Sequence, residues 1–517
     1  VTTANTEQDP RRGGPQVVRV LFIVTGAAIW PSLQSVWEAC ARDPRFIVRV
    51  VLAPNRYIDR QSREFHQARA ALIEADVPFT YAYEGVLDDM RPDVAFVPLP
   101  YTDMLPPGLG EDELEACGAR IAYVPYGLEI GGGGFNMRYQ FNLPLHNKAW
   151  RIFARSSAHR RMFARYCENG SGHVVVTGSP RLDRIARLDN CDARRLEAQI
   201  KGRTAILWTP HFSEGTSAAW SSFDRYREHI LEVFAERSKT HVLIFRPHPL
   251  LFSSLRSTGY WTAAEETAFR KRIQSAGNVI LDESGAYLPA FKAAHGLMAD
   301  AGSFLLEFFA TGKPLLYLSP KDGIGLNDDA ALANELYVCG EEGDIGRFVD
   351  AVAAGEDPMG ERRRASLPRF FHVPKVGGAG QAIADHVARA VLSGDDIRIK
   401  IASEDELMAR ARTYWADSTN TYLAPPDDYD KHETIFRKIL TKHGPWASAL
   451  DVGCGDGRFT LVLAEHAGQV TACDIGPKLI DQARAKAAER GVANIDWRVE
   501  ALDDVKTLSR YDLTSCC

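Results

Sequence analysis

The sequence predicts an α/β protein made of two full parallel-sheet units followed by a third, partial one. Three observations lead to that class. Continuous apolar runs such as "VVRVLFIV", "TAILWTPHF" and "ALDVGC" recur along the chain, and a run without polar alternation suits a strand covered on both faces. Each run ends in a Gly, Ser, Thr or Pro turn and is followed by enough residues for a helix, the rhythm of parallel strands joined by crossover helices. The chain has 517 residues, too many for one core, so roughly two to four domains are expected.

Composition narrows the functional classes. Hydrophobic content of 45% and charged content of 25% are those of a globular protein. A net charge of −6 argues against a nucleic-acid partner, which needs a basic footprint. The nine cysteines form no CxxC and no zinc-spaced cluster, and their single close pair is Cys516–Cys517. Reduced thiols in a cytoplasmic location are expected. The opening "VTTANTEQDPRRGGPQ" lacks the apolar core of a signal peptide, and no apolar stretch is long enough to span a membrane.

In chain order, residues 1–16 read as a disordered lead-in. The first unit (17–190) takes its strands from "VVRVLFIV", "FIVRVVLA", "DVAFVPL", "ARIAYVPYG" and "HVVVTGSPRLDRI", with a helix over 31–43. The second unit (191–395) takes "TAILWTPHF", "HVLIFRPHP", "NVILDES" and "HGLMADAGSFLLEFFATGKPLLYLSP", with helices near 220–237 and 262–275. Two consecutive units of similar length suggest two Rossmann-like halves facing across a cleft. Residues 378–416 read as helix, folding back as a brace, with a linker over 396–428. The third unit (429–517) contributes "ALDVGC", "QVTACD", "IDWRVE" and, as a fourth strand, "YDLTSCC".

Ligand residues are expected after strand C-termini. In "IFRPHPLLF", Arg246 and His248 flank a proline there and can meet a phosphate, the guanidinium through paired donors and the imidazole as donor or general acid. "WTPHF" places His211 after the preceding strand. "ADAGSFLLEF" places Asp300, Gly302 and Ser303 at a helix start, with Ser303 as the expected cap, where free N–H groups suit an anion. Glu307, one turn further on, can hold ribose hydroxyls. Near the first unit's "PYG", Tyr126 and Glu129 are candidates for the acceptor base, with His146 and Asp183 as weaker ones. Glu129 reads equally well as an ordinary loop carboxylate. "GGGG" (131–134) reads as a mobile acceptor lid or a flexible surface loop. Arg151, Arg155 and His159, with Arg160, Arg161 and Arg165, read as a basic helical face toward a lipid diphosphate or a membrane, or as a solvated helix.

The third unit carries "LDVGCGDGRFT". Gly453, Gly455 and Gly457 form a GxGxG turn, Asp451 precedes it, and Asp474 ends the next strand 23 residues after Asp451. Such a turn lets a ligand touch the backbone, and an acid there accepts from ribose hydroxyls. NAD is the rival ligand, but the acid ahead of the first glycine favours S-adenosylmethionine.

Two family resemblances follow from these motifs. Residues 447–505 resemble the first half of a class I S-adenosylmethionine-dependent methyltransferase. By that resemblance Asp474 holds the ribose, the glycine turn takes the methionine end, and Asp503 or Asp504 borders the adenine. That fold needs about seven strands and about half of them are visible here, so the expectation is a truncated domain that transfers no methyl group. The series "TGSPRLDRI", "ILWTPHF", "RPHPL" and "ADAGSFLLEFFATGKPLLYL" resembles the CDP-glycerol glycerophosphotransferase family. The resemblance implies a GT-B fold over residues 17–390, with His248 catalytic at the donor phosphates and the Asp300–Glu307 segment on the nucleotide. The family's second histidine, in a "WHG" turn, is replaced here by Pro125-Tyr126-Gly127, which puts its acceptor base in doubt.

The combined expectation is a GT-B transferase fused to part of a methyltransferase. It moves a sugar or polyol-phosphate from a CDP-, CMP-, UDP- or GDP-linked donor to a bacterial surface glycan or glycolipid, in capsule or O-antigen synthesis, in a bifunctional protein whose full-length C-terminal domain is expected to methylate the product. The alternatives are a true CDP-glycerol or CDP-ribitol phosphotransferase and a non-catalytic scaffold. No D-x-D motif stands out, so no metal is expected. Expected partners are the acceptor, the inner face of the plasma membrane as a peripheral contact, and a second copy of the chain.

Overall fold

The computed structural model describes residues 17–55, 58–97, 99–101, 104–214, 220–319, 325–393, 426–500 and 511–515. The expected lead-in, most of the linker, and Asp503 lie outside them. The chain divides into two compact units, 1–400 and 401–517.

The first unit contains two parallel sheets. β1 (Val18–Val24), β2 (Phe46–Leu52), β3 (Thr80–Tyr81), β4 (Val94–Val97), β5 (Arg120–Tyr123), β6 (Arg151–Ala154) and β7 (Val174–Val176) form one, in the order β3-β2-β1-β4-β5-β6-β7. β8 (Thr204–Thr209), β9 (His241–Phe245), β10 (Val279–Leu281), β11 (Gly296–Ala299), β12 (Leu315–Tyr317) and β13 (Tyr337–Val338) form the other, in the order β10-β9-β8-β11-β12-β13. Alternate residues of one strand serve opposite cores, as a period of two requires. Val20, Phe22 and Val24 enter one cluster of β1, and Leu21 and Ile23 enter the other. Ala205 and Leu207 of β8 likewise oppose Ile206 and Trp208. This double burial is why the runs carry no polar alternation.

The helix Gly378–Leu392 returns to the first sheet. Its Ile383, Ala384, Val387 and Ala388 join the β1 core. The last helix placed in the 191–395 unit therefore completes the first half. Asp183 secures its start, accepting from the Ala379 and Gly380 N–H groups at 2.9 Å each, and a carboxylate suits that end of a helix. A Cβ on Gly380 would fall 2.3 Å from the Ser35 backbone, so only glycine permits this approach.

In the second unit β14 (Trp446–Val452), β15 (Ala467–Asp474), β16 (Ile495–Val499) and β17 (Leu513–Ser515) form a parallel sheet in the order β16-β15-β14-β17. Among the described residues no helix is long and apolar enough to cross a membrane.

Candidate functional site

Strand order reverses between β8 and β11, the switch point where open α/β sheets take ligands. β8 delivers Pro210-His211 there and β9 delivers Pro247-His248. The two turns repeat one design. His211 Nδ1 accepts from the Ser213 N–H at 3.2 Å, and His248 Nδ1 accepts from the Leu250 N–H at 3.1 Å. The His248 N–H donates to Pro210 O at 3.1 Å, tying the turns together. The rings lie 5.5 Å apart. A neutral imidazole that accepts at Nδ1 carries its proton on Nε2. Burial, then the neighbouring His248, lowers His211 to about 3, and burial lowers His248 to about 4. At neutral pH both rings are therefore uncharged N–H donors, and His248 is a weak candidate for a general acid.

The charged candidates around them are engaged within the protein. Arg246 Nη1 lies 2.6 Å from Asp282 and Nη2 donates to Ser284 O at 2.7 Å, so its expected paired contact to phosphate is not available. Asp300 is buried and accepts from His211 N at 2.8 Å, from Ser222 N at 3.1 Å and from the Ser222 hydroxyl. Burial raises it to about 7. It positions the histidine turn. Gly302, not Ser303, is the N-cap of the helix Ser303–Phe309. Ser303 Oγ instead accepts from the Leu128 N–H of the first half at 2.9 Å. Glu307 has no exposed side-chain surface and meets Arg181 Nη1 at 2.9 Å, which corrects its reading as an open ribose ligand. Arg181 also donates to Ser32 Oγ, Tyr126 O and Ala28 O, so a single guanidinium joins the segments after β1 and β5 of the first half to the second.

The first half faces this site through the segment after β5. Leu128 and Ile130 enter a core of the second half. Asn327 N–H donates to Ile130 O at 2.8 Å, and Gly131 forms a bridge with Leu326. The expected mobile glycine loop thus begins as a pinned strap. A Cβ on Gly131 would lie 2.2 Å from the Trp220 ring, and that ring sits 5.3 Å from His211. Glu129 points the other way. Its carboxylate lies 3.3 Å from His159 Nε2 and 3.7 Å from Arg155 Nη1, with 11% of its side chain exposed. The Tyr126 hydroxyl lies 3.2 Å from that of Tyr101. Burial, with Glu129 adding to it, holds the Tyr126 phenol above its ordinary value, so it stays protonated and is no base.

The weaker candidates are structural. His146 is fully buried and accepts from the Leu143 N–H, and Asp183 anchors the returning helix. The basic face is split as well. Arg151 lies in β6 and Arg155 precedes the helix Ser157–Tyr166, so they are no part of a helical face; both are buried with His159, leaving Arg160, Arg161 and Arg165 exposed. Arg181, Tyr101 and Trp220 carry no local mark in the sequence because their partners are remote, and His159 is marked there only as part of a basic face. Arg181 stood within a quoted motif, but nothing local ties it to Glu307.

In the second unit Gly453, Gly455 and Gly457 have φ of 70°, 53° and 80°, a region that favours glycine. Asp474 accepts from Gly455 N at 2.9 Å and Gly476 N at 2.8 Å. Asp451 is buried and accepts from Thr460 Oγ1 at 2.5 Å and Ser515 Oγ at 2.6 Å. It joins β14 to β17 and is not a ligand group.

Comparison with known proteins agrees with this layout. Residues 132–319 match the family described as CDP-Glycerol:Poly(glycerophosphate) glycerophosphotransferase, and residues 449–517 match a methyltransferase domain. The ubiquinone biosynthesis O-methyltransferase of Xylella fastidiosa (strain 9a5c) is 42% identical over 81 residues, which are 15% of this chain and 32% of that protein. That of Xanthomonas axonopodis pv. citri (strain 306) is 38% identical over 72 residues, 14% and 30% respectively. The chain thus spans about a third of the length of these relatives. Among solved structures, S. aureus MnaA with UDP aligns at TM-score 0.52 and 15% identity, covering 73% of this chain and 97% of that one. A UDP-N-acetylglucosamine 2-epimerase aligns at 0.50 and 14%, covering 74% and 97%. These likenesses show the fold, which is GT-B. The chain joins a glycerophosphotransferase-like GT-B domain to a methyltransferase domain.

Proposed function

We propose that the GT-B unit moves a glycosyl or polyol-phosphate group from a CDP-, CMP-, UDP- or GDP-linked donor onto a hydroxyl of a surface glycan or glycolipid, and that the methyltransferase domain acts on the product. The paired histidine turns carry this reading. Two Nε2–H donors held by the backbone suit the oxygens of a nucleotide phosphate. The acceptor oxygen bonds to the anomeric carbon or phosphorus of the donor as the bond to the leaving phosphate oxygen breaks. The acceptor proton leaves to water, because the Glu129 carboxylate is held by His159 and Arg155 of the first half. His211 and His248 meet the charge that grows on the leaving group.

The glycine turn fits S-adenosylmethionine. A Cβ on Gly453 would meet nothing within 4 Å, leaving room for a ligand against the backbone, and each Asp474 oxygen keeps lone pairs for ribose hydroxyls. When bound, that cofactor supplies an electrophilic methyl group.

Titration with CMP, CDP, UDP and GDP tests the donor site. His248→Gln keeps an N–H near the Nε2 position, whereas His248→Asn places its amide at Nδ1. Loss of a charge-assisted hydrogen bond predicts about 10- to 100-fold weaker binding in the Asn variant, with the Gln variant near wild type. If no nucleotide binds, the scaffold reading takes over. The match of residues 132–319 favours a second reading, a CDP-polyol phosphotransferase, which releases CMP.

A further inference from the structure

The two most exposed large apolar side chains among the described residues lie three positions apart in one loop. Val373 keeps 62% of its surface exposed and Val376 keeps 80%. The loop follows the helix Gly360–Phe370 and precedes the helix Gly378–Leu392, where the chain crosses from the second half back to the first. This exposure is not slack. Phe370 and Phe371 are buried in a core of the second half, the His372 N–H donates to Arg155 O at 2.7 Å, and Asp183 holds the Ala379 and Gly380 N–H groups. Gly377 and Gly378, with φ of 73° and 77°, turn the chain back into the fold, a conformation that favours glycine. Both ends of the loop are fixed, and two valines stand in water between them.

The charge around them is one-sided. Residues 362–378, "RRRASLPRFFHVPKVGG", hold five cations and no carboxylate, in a chain of net charge −6. Glu335 pairs with Arg362 and Asp357 with Arg363. Arg364, Arg369 and Lys375 are exposed and meet no carboxylate among the described residues. Surplus cations beside outward valines fit an anionic lipid surface, where cations meet headgroup phosphates and apolar side chains enter the acyl boundary. A polyanionic glycan would use the cations and leave the valines in water.

We infer that the loop 369–376 docks on an anionic lipid bilayer, with Val373 and Val376 entering it and Arg364, Arg369 and Lys375 on its headgroups. This goes beyond the transferase reading, and its readout needs no nucleotide. Co-sedimentation of the full chain with vesicles of phosphatidylcholine, and of phosphatidylcholine with phosphatidylglycerol at about 3:1, tests it. Wild type should bind the mixed vesicles and not the neutral ones. Lys375→Gln should weaken that binding about fivefold. Val373→Ser with Val376→Ser should weaken it about tenfold, with the circular dichroism unchanged because both positions are exposed. Val376→Trp should add fluorescence that shifts to the blue on binding and is quenched by brominated acyl chains. No binding to the mixed vesicles overturns the surface, as does binding that the serine pair leaves unchanged. Equal binding to both kinds of vesicle overturns the role of the cations. Binding without quenching in Val376→Trp overturns insertion and leaves the polyanion reading. Self-association of wild type without vesicles, lost in the serine pair, makes the loop a contact between copies and overturns the lipid assignment.

Discussion

The β8–β11 switch point and its counterpart between β14 and β17 are secured in different ways. In the methyltransferase domain the carboxylates bond to hydroxyls and backbone N–H groups close by: Asp451 to Thr460 and Ser515, Asp474 to Gly455 and Gly476. In the transferase Asp300 is held in that manner too, by Ser222 and the His211 N–H, but Glu307 is paired with Arg181 and Asp282 with Arg246, and neutral imidazoles are left to face a ligand. The difference follows from having two facing halves. Charges at the junction are recruited to close it, and a ligand group must then come from side chains that burial does not penalise.

Acid should expose this difference most strongly. His146 is fully buried and lowered to about 3 by burial. Between its unfolded value near 6.5 and that figure, only the unfolded chain binds the proton, so stability falls as pH falls, by about 1.4 kcal/mol per pH unit. His211 and His248 act in the same direction. Asp300, raised to about 7, acts the opposite way between about 7 and 3.8, since its folded form holds the proton. The histidines outnumber it. Urea titrations from pH 7 to 4 should show the transferase transition moving to lower denaturant. A transition that does not move would remove the neutral-imidazole half of the comparison.

Next in size is the junction pair. Arg181→Met should destabilise the transferase by about 3–5 kcal/mol, because it strands the Glu307 charge, and adding Glu307→Leu should restore much of that loss. A double-mutant cycle by chemical denaturation reads this directly. Gly131→Ala pushes a methyl into the Trp220 ring and should cost about 1–3 kcal/mol, with weaker nucleotide binding through the shifted His211 neighbour. The smallest effect belongs to the methyltransferase domain. Thr460→Val removes one hydrogen bond to Asp451 and should lower its stability by about 1 kcal/mol.

The sheets were legible because doubly buried strands are written as unbroken apolar runs, and the GxGxG turn because positive φ leaves few choices besides glycine. His211 and His248 stood out through the prolines before them. The roles of Arg246, Asp300 and Glu307 did not, because a charge beside a strand end reads the same whether its partner is a ligand or Arg181, 126 positions away. The direction of Glu129 was hidden for a related reason. It depends on Leu128 and Ile130 entering the core of the other half, which no local pattern announces.

The helix Gly378–Leu392, packed on the first sheet, bears on how the protein is made. The β1 core cannot be finished when β7 leaves the ribosome, because one wall is encoded roughly 200 residues later, a wait of about 10–40 s at ordinary rates of translation. Throughout that interval the apolar face meant for Ile383 and Val387 is open to chaperones and to other nascent chains. A gene fragment ending after β7 would leave it open permanently, so yield from such a fragment should depend on supplying the helix in trans.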